Sequence, residues 1–204
     1  MNTPPVHLSA PRYVLGESEA HHTSIEDLPR KARAFGMPPK ASLWGWGSVR
    51  RTAESLETPA VRSGRATLDA AGAAPSSVDC LVLCSTRLPG GPHTHARLVQ
   101  DVMSRLDLDD AAFTLNRCTN LLTGLRTAQA LIAGRHRGVL VVTTDRMTDA
   151  SQRMETFALF SDGAASALVG AEAEGADGYE GESGEPQRSW GARGENQLHD
   201  AARP

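Results

Sequence analysis

One stretch constrains the fold more than any other. From Ala111 to Asp145 the chain reads as a short strand, a cysteine, a long apolar helix and a second strand in succession. Ala112 to Leu115 are apolar and β-prone, and Arg117-Cys118-Thr119 turn directly into the helix. Apolar residues Leu121, Leu122, Leu125, Ala128 and Leu131–Ile132 then recur with the 3.6-residue helical period. Gly134 suits the residue after a helix end, because glycine accepts the left-handed conformation there. Val139 to Val142 form a continuous apolar run, the signature of a strand buried on both faces. Only Arg126 and Gln129 interrupt the helix interior with clearly polar side chains, and a helix apolar nearly all round belongs inside a larger body.

This spacing sets Cys118 at a strand-to-helix junction, facing the first free N–H groups of the helix. The positive end of a helix dipole lowers a thiol pKa from about 8.5 to about 3.5–7.5 at favourable sites. A thiolate there can accept an acyl group. The alternative is a buried structural cysteine, a common fate of free Cys.

Elsewhere the same reading gives strands at Tyr13–Leu15, Asp79–Cys84 and Ala164–Gly170. It gives helices from a Thr58 cap with Pro59 at the first position to Gly72, and from Ala96 to Leu106. Ser24 to Phe35 is a further helix capped by Ser24 and limited by Pro29. The order βαβαβαββ implies an α/β fold with a mixed, mostly parallel sheet. Cys80 and Cys84, four apart on a period of two, share one strand face and read as core. His93 and His95 sit in a loop without a third ligand at recognisable spacing, so no metal is expected. Trp44-Gly45-Trp46-Gly47 is either a loop anchored on the core or the lip of a ligand tunnel, with Arg50-Arg51 near phosphates. Asp162-Gly163 is a turn dipeptide.

A net charge of −3 gives no reason to expect nucleic acid or an anionic membrane. Three cysteines without a CxxC pair fit a reducing cytoplasm. The start of the chain lacks the basic-then-apolar pattern of a signal peptide, and no run is long enough for a membrane span. The expected organisation is a domain over residues 1–171 followed by a disordered tail over 172–204. Residues 180–204 contain no Val, Ile, Phe, Met or Tyr, too little apolar surface to offset ordering entropy.

Three stretches carry a family resemblance: FTLNRCTNLLTGLRTAQALIAGRHRGVLVVTTD, LFSDGAASALVG and DAAGAAPSSVDCLVLCST. Together they resemble the N-terminal half of thiolase-fold enzymes, above all β-ketoacyl-acyl-carrier-protein synthase III and its acyltransferase relatives. The resemblance implies that Cys118 accepts an acyl group from an acyl-CoA or acyl-carrier-protein thioester, for condensation or transfer in fatty-acid or polyketide-type biosynthesis. It implies no permanently bound cofactor and a central place for the Cys118 helix. Arg51, Trp46 and Asn120 are the expected substrate-binding residues, and a homodimer or a complementary C-terminal half is the expected partner.

Departures from the family pattern accompany these matches. Asn120 stands two places after the cysteine, where the family carries a small residue, and Ser161 replaces the first glycine of G-D-G-A. Ser24-Ile25-Glu26-Asp27-Leu28 lacks the family's adenine-stacking tryptophan. The family's second half supplies a histidine, an asparagine and part of the oxyanion hole. His199 in NQLHDAARP matches none of these. Three readings follow: a truncated or frameshifted synthase, a half-enzyme completed by a separate chain, and a non-catalytic interaction module.

Overall fold

The computed structural model describes residues 6–88, 90–115, 120–134, 136–156 and 158–170. Its frame is set by the most apolar strand, β4 (Cys80–Ser85), buried at every position. Parallel neighbours flank it, β5 (Ala111–Leu115) on one side and β6 (Gly138–Asp145) on the other. The last strand, β9 (Gly163–Gly170), pairs antiparallel with β6, and β1 (His7–Leu15) pairs antiparallel with β9. The sheet order is therefore β1-β9-β6-β4-β5. Four of the five strands point the same way and β9 alone opposes them, so the sheet is mixed and mostly parallel, as the sequence implies.

Side chains alternate between the two faces of this sheet. Leu81, Leu83, Leu140 and Val142 face α3 (Glu57–Ala71) and α4 (Pro92–Leu106), where Ala60, Val61, Leu68, Leu98, Val102 and Leu106 complete a core. Buried hydroxyls tie α3 to the sheet: Ser166 Oγ lies 2.7 Å from both Ser63 Oγ and Thr67 Oγ1. Thr67 also donates to the Ala10 carbonyl, at the irregularity between Ser9 and Arg12 where β1 breaks register.

Cys80, Val82, Cys84, Val139, Val141 and Val169 face the other way, against Ala128 and Ile132 of α5 (Asn120–Ala133). The buried residues of α5 are Asn120, Gly124, Ala128 and Ile132, one every fourth position. Leu121 and Leu122 are 48% and 60% exposed, while Leu125 and Leu131 pack at the edge of the same core. Close approach explains which side is buried. A Cβ on Gly124 would stand 2.5 Å from Cys84 Sγ, so the helix comes nearest the sheet at a glycine, and Leu121 and Leu122 face outward.

A smaller body sits between β1 and α3. It contains the ribbon of β2 (Ser18–His21) with β3 (Ser48–Arg51), the helices α1 (Leu28–Ala34) and α2 (Ala41–Trp44), and the short pair β7 (Met154–Glu155) with β8 (Ala158–Leu159). Ile25, Leu28, Ala32, Met37, Trp46, Val49 and Met154 form its core. The single helix expected over Ser24–Phe35 is here a 3₁₀ turn at His22–Ser24 followed by α1, with Asp27 left-handed between them. Pro29 fits this break, since it is tolerated only in the first turn of a helix and here stands second in α1.

Two other local expectations shift. The helix over Thr58–Gly72 begins at Glu57, with Leu56 rather than Thr58 in the cap position. His93 and His95 lie within α4, not in a loop, because Pro92 opens that helix at its first turn. The proposed tail over 172–204, with His199, lies outside the described residues.

Candidate functional site

Cys118 itself lies outside the described residues; the structure describes what brackets it in the chain, Leu115 at the end of β5 and Asn120 at the start of α5. Asn120 is 4% exposed. Its Oδ1 accepts a hydrogen bond from Thr114 Oγ1 at 2.9 Å, which joins the end of β5 to the first turn of α5. Among the described residues its buried Nδ2 has no hydrogen-bond partner. A buried amide donor left unpaired costs about 1–3 kcal/mol, and such groups in native folds need a reason.

The other two thiols are poor nucleophiles. Burial pushes the Cys84 thiol up, against a smaller downward pull from a hydrogen bond with Thr114. Burial also raises Cys80, and Asp110 adds to the effect. Among the described cysteines, neither has the environment that creates a thiolate.

The carboxyl ends of parallel strands are where open α/β sheets form their sites. At that end, Asp145 closes β6 and accepts from Thr86 N at 2.6 Å, Thr86 Oγ1 at 3.0 Å and Ser85 Oγ at 3.2 Å. Burial outweighs these bonds and raises its pKa above the usual carboxylate value. On the α3 and α4 side, a cavity of about 300 Å³ opens between the first turns of those helices and the segment after β6. Its lining includes Glu57, Thr94, His95 and Arg146.

Arg51 and Trp46 belong to the smaller body. Trp46 is 9% exposed within that body's core, which is the core-anchored side of the alternative the sequence leaves open. Arg51 is half-buried and donates to Ser24 Oγ at 3.4 Å, while its Nε is buried without a partner. Asn120 belongs to a different element, the first turn of α5.

The Asp162-Gly163 pair is not a hairpin turn. Asp162 is 1% exposed and receives both Nη atoms of Arg153, at 3.1 and 2.9 Å, together with Met147 N at 2.8 Å and Thr52 N at 3.0 Å. Arg153 also donates to the carbonyls of Met147 and Phe160. This buried ion pair fastens the smaller body to the sheet. Gly163 starts β9 beside β1, where a Cβ would strike the Val14 carbonyl oxygen at 2.6 Å. Nothing in the local sequence announces Arg153, whose partner is reached only through the loop around β7 and β8.

Comparison with known proteins gives a consistent likeness. The family model of 3-oxoacyl-[acyl-carrier-protein] synthase III matches residues 114–181. A β-ketoacyl-[acyl-carrier-protein] synthase III from Synechococcus elongatus is 37% identical over 121 residues, 57% of this chain and 35% of that protein. The chain thus spans about a third of the length of this relative. Among solved structures, 3-oxoacyl-[acyl-carrier-protein] synthase III from Aquifex aeolicus superposes with a TM-score of 0.61 at 17% identity, over 83% of this chain and 55% of that one. A priming β-ketosynthase from a polyketide biosynthetic pathway gives 0.58 at 22% identity, over 83% and 52%.

Proposed function

We propose, from the premise that this chain is ketosynthase III-like in sequence and thiolase-like in fold over the N-terminal half, that it accepts an acyl group on Cys118. The donor is an acyl-CoA or an acyl-carrier-protein thioester. The Cys118 thiolate attacks the thioester carbonyl, the tetrahedral intermediate collapses, and the coenzyme or carrier thiol leaves. The acyl group then passes to a carbon nucleophile in a condensation or to an alcohol or amine in a transfer. Splitting one hard transfer into two is the gain that covalent catalysis brings.

The observation that carries this reading is the 37% identity to a synthase III over 121 residues, together with a strand ending at Leu115 and a helix starting at Asn120 around the cysteine. The dipole of that helix supports a thiolate. The unpartnered Nδ2 of Asn120 is a donor available to the acyl oxygen, a use for the amide that replaces the family's small residue. No helix among the described residues is long and apolar enough to cross a membrane, in keeping with the proposed cytoplasmic setting.

Mass spectrometry after incubation with a panel of acyl-CoAs tests the proposal. The expected result is one acyl group on Cys118, lost in Cys118→Ser. Absence of acylation with every chain length, or acylation at Cys80 or Cys84, overturns it. Limiting iodoacetamide should likewise label Cys118 before the two buried thiols.

A second reading has its own support. Leu115, Leu121 and Leu122, which flank the Cys118 segment, are 54%, 48% and 60% exposed. An apolar cluster of this kind marks an interaction surface. A complementary half carrying a histidine and an asparagine, or a second copy meeting the outer edge of β5, would cover it. On this reading Cys118 acylates without turnover, and adding the missing half restores transfer.

A further inference from the structure

We propose that Cys80, Asp110 and His136 form a binding site for a divalent transition-metal cation of the zinc class, which clamps the amino ends of three neighbouring strands. Cys80 opens β4, Asp110 immediately precedes β5, and His136 lies two residues before β6. Their ligand atoms fall within 4.8 Å of one another. Metal–ligand bonds of about 2.0–2.3 Å place tetrahedral ligands about 3.3–3.8 Å apart, so the cluster needs about 1 Å of closure. Asp110 is exposed and free to rotate inward, while the Cys80 sulfur is buried and fixed.

The surroundings suit a cation. Asp79 Oδ1 lies 3.4 Å from His136 Nδ1, and the Asp79 carboxylate is itself held by the backbone N–H groups of Arg137 and Gly138. A carboxylate behind an imidazole is the outer-shell device that orients a ligating histidine and raises its basicity. Two carboxylates therefore border the thiol and imidazole, and among the described residues Arg137 lies 3.8 Å from Asp79 with a side chain 75% exposed. His136 N donates to the Leu131 carbonyl, so the site lies beneath the C-terminal end of α5, where the helix dipole also favours positive charge. Binding of the cation displaces the Cys80 proton to solvent, and thiolate, imidazole and carboxylate then form a borderline-soft donor set that selects zinc over magnesium or calcium. A water completes four-coordination.

The clamp is structural and separate from the Cys118 reading. Asp110 stands at the opposite end of β5 from Leu115, about 17 Å away at strand spacing. Its failure or success leaves acyl transfer untested, and the reverse also holds.

Titration of the chelator-treated full chain with Co²⁺ under reducing conditions tests the proposal. One equivalent should bind, with a thiolate-to-cobalt charge-transfer band, and Zn²⁺ should displace it. Cys80→Ser should abolish the band, while Cys84→Ser and Cys118→Ser keep it. His136→Gln and Asp110→Asn should each weaken binding at least tenfold, and Asp79→Asn by about 10–100-fold. The absence of stoichiometric binding, or a band that survives in Cys80→Ser, overturns the site. Should Cys80→Ser fail to fold, wild-type affinity in both His136→Gln and Asp110→Asn overturns it equally.

Discussion

The two faces of the central sheet are built on opposite plans. On one, α3 and α4 bring large aliphatic side chains onto Leu81, Leu83, Leu140 and Val142, and the interface is closed. On the other, α5 lies against β4 and β6 through glycine, alanine and isoleucine, with Leu125 and Leu131 at the edge, and leaves Leu121 and Leu122 facing outward. The first plan is that of a finished core. The second is open: the helix approaches the sheet closely and leaves Leu121 and Leu122 exposed on its outer side. The difference teaches that apolar content alone does not tell which side of a helix faces its own sheet. Residue size does, because close contact selects small side chains.

The contrast breaks most visibly if a closed-face leucine proves cheap to remove. Leu140 is fully buried between the sheet and α3, and Leu140→Ala should cost about 2–5 kcal/mol in a denaturant titration. A loss below about 1 kcal/mol would mean that this face is loosely packed. On the α5 face, Gly124→Val should cost about 1–3 kcal/mol by forcing the helix off Cys84. Combining it with Cys84→Ala should recover part of that loss. Strict additivity in the double variant would show that the two do not touch.

Asp145 sharpens the comparison at the carboxyl ends of the strands. Its folded pKa is raised above its unfolded value of about 3.9, so the native state holds the extra proton between those two values. Stability should therefore fall as pH rises through that window, and Asp145→Asn should flatten the slope. Thermal midpoints at a series of pH values for both proteins check this, and parallel profiles would remove Asp145 from the account. The smallest expected effect is at Leu122, 60% exposed: Leu122→Ser should change stability by less than about 0.5 kcal/mol. Its effect should appear instead as reduced self-association or dye binding in sedimentation and fluorescence. A large drop in stability would mean that the leucine face is already covered within the chain.

Much of the fold was legible because it is written locally. Apolar periodicity marks the strands at Asp79–Cys84 and Val139–Val142 and the helices on either side, and their alternation implies a parallel arrangement of β4, β5 and β6. Gly72 also falls where helix-end chemistry puts it, left-handed after α3. The smaller body was poorly legible, since its elements are short and its core residues come from three separate segments. Of the candidate site, Asn120 could be named from its place in the chain, but its bond to Thr114 and its idle Nδ2 could not.

The sequence by itself determined the order βαβαβαββ, the core placement of Cys80 and Cys84 and the position of Cys118 between a strand and a helix. Each follows from the covalent spacing of side chains along one element. Only the tertiary structure decided which side of α5 is buried, because that depends on how near the helix lies to β4. It alone turned Asp162 from a turn residue into the hub for Arg153, and it alone gathered Cys80, Asp110 and His136 from three strand starts. Such groupings depend on strand order and register, which bring distant residues together and leave no periodic trace in the chain.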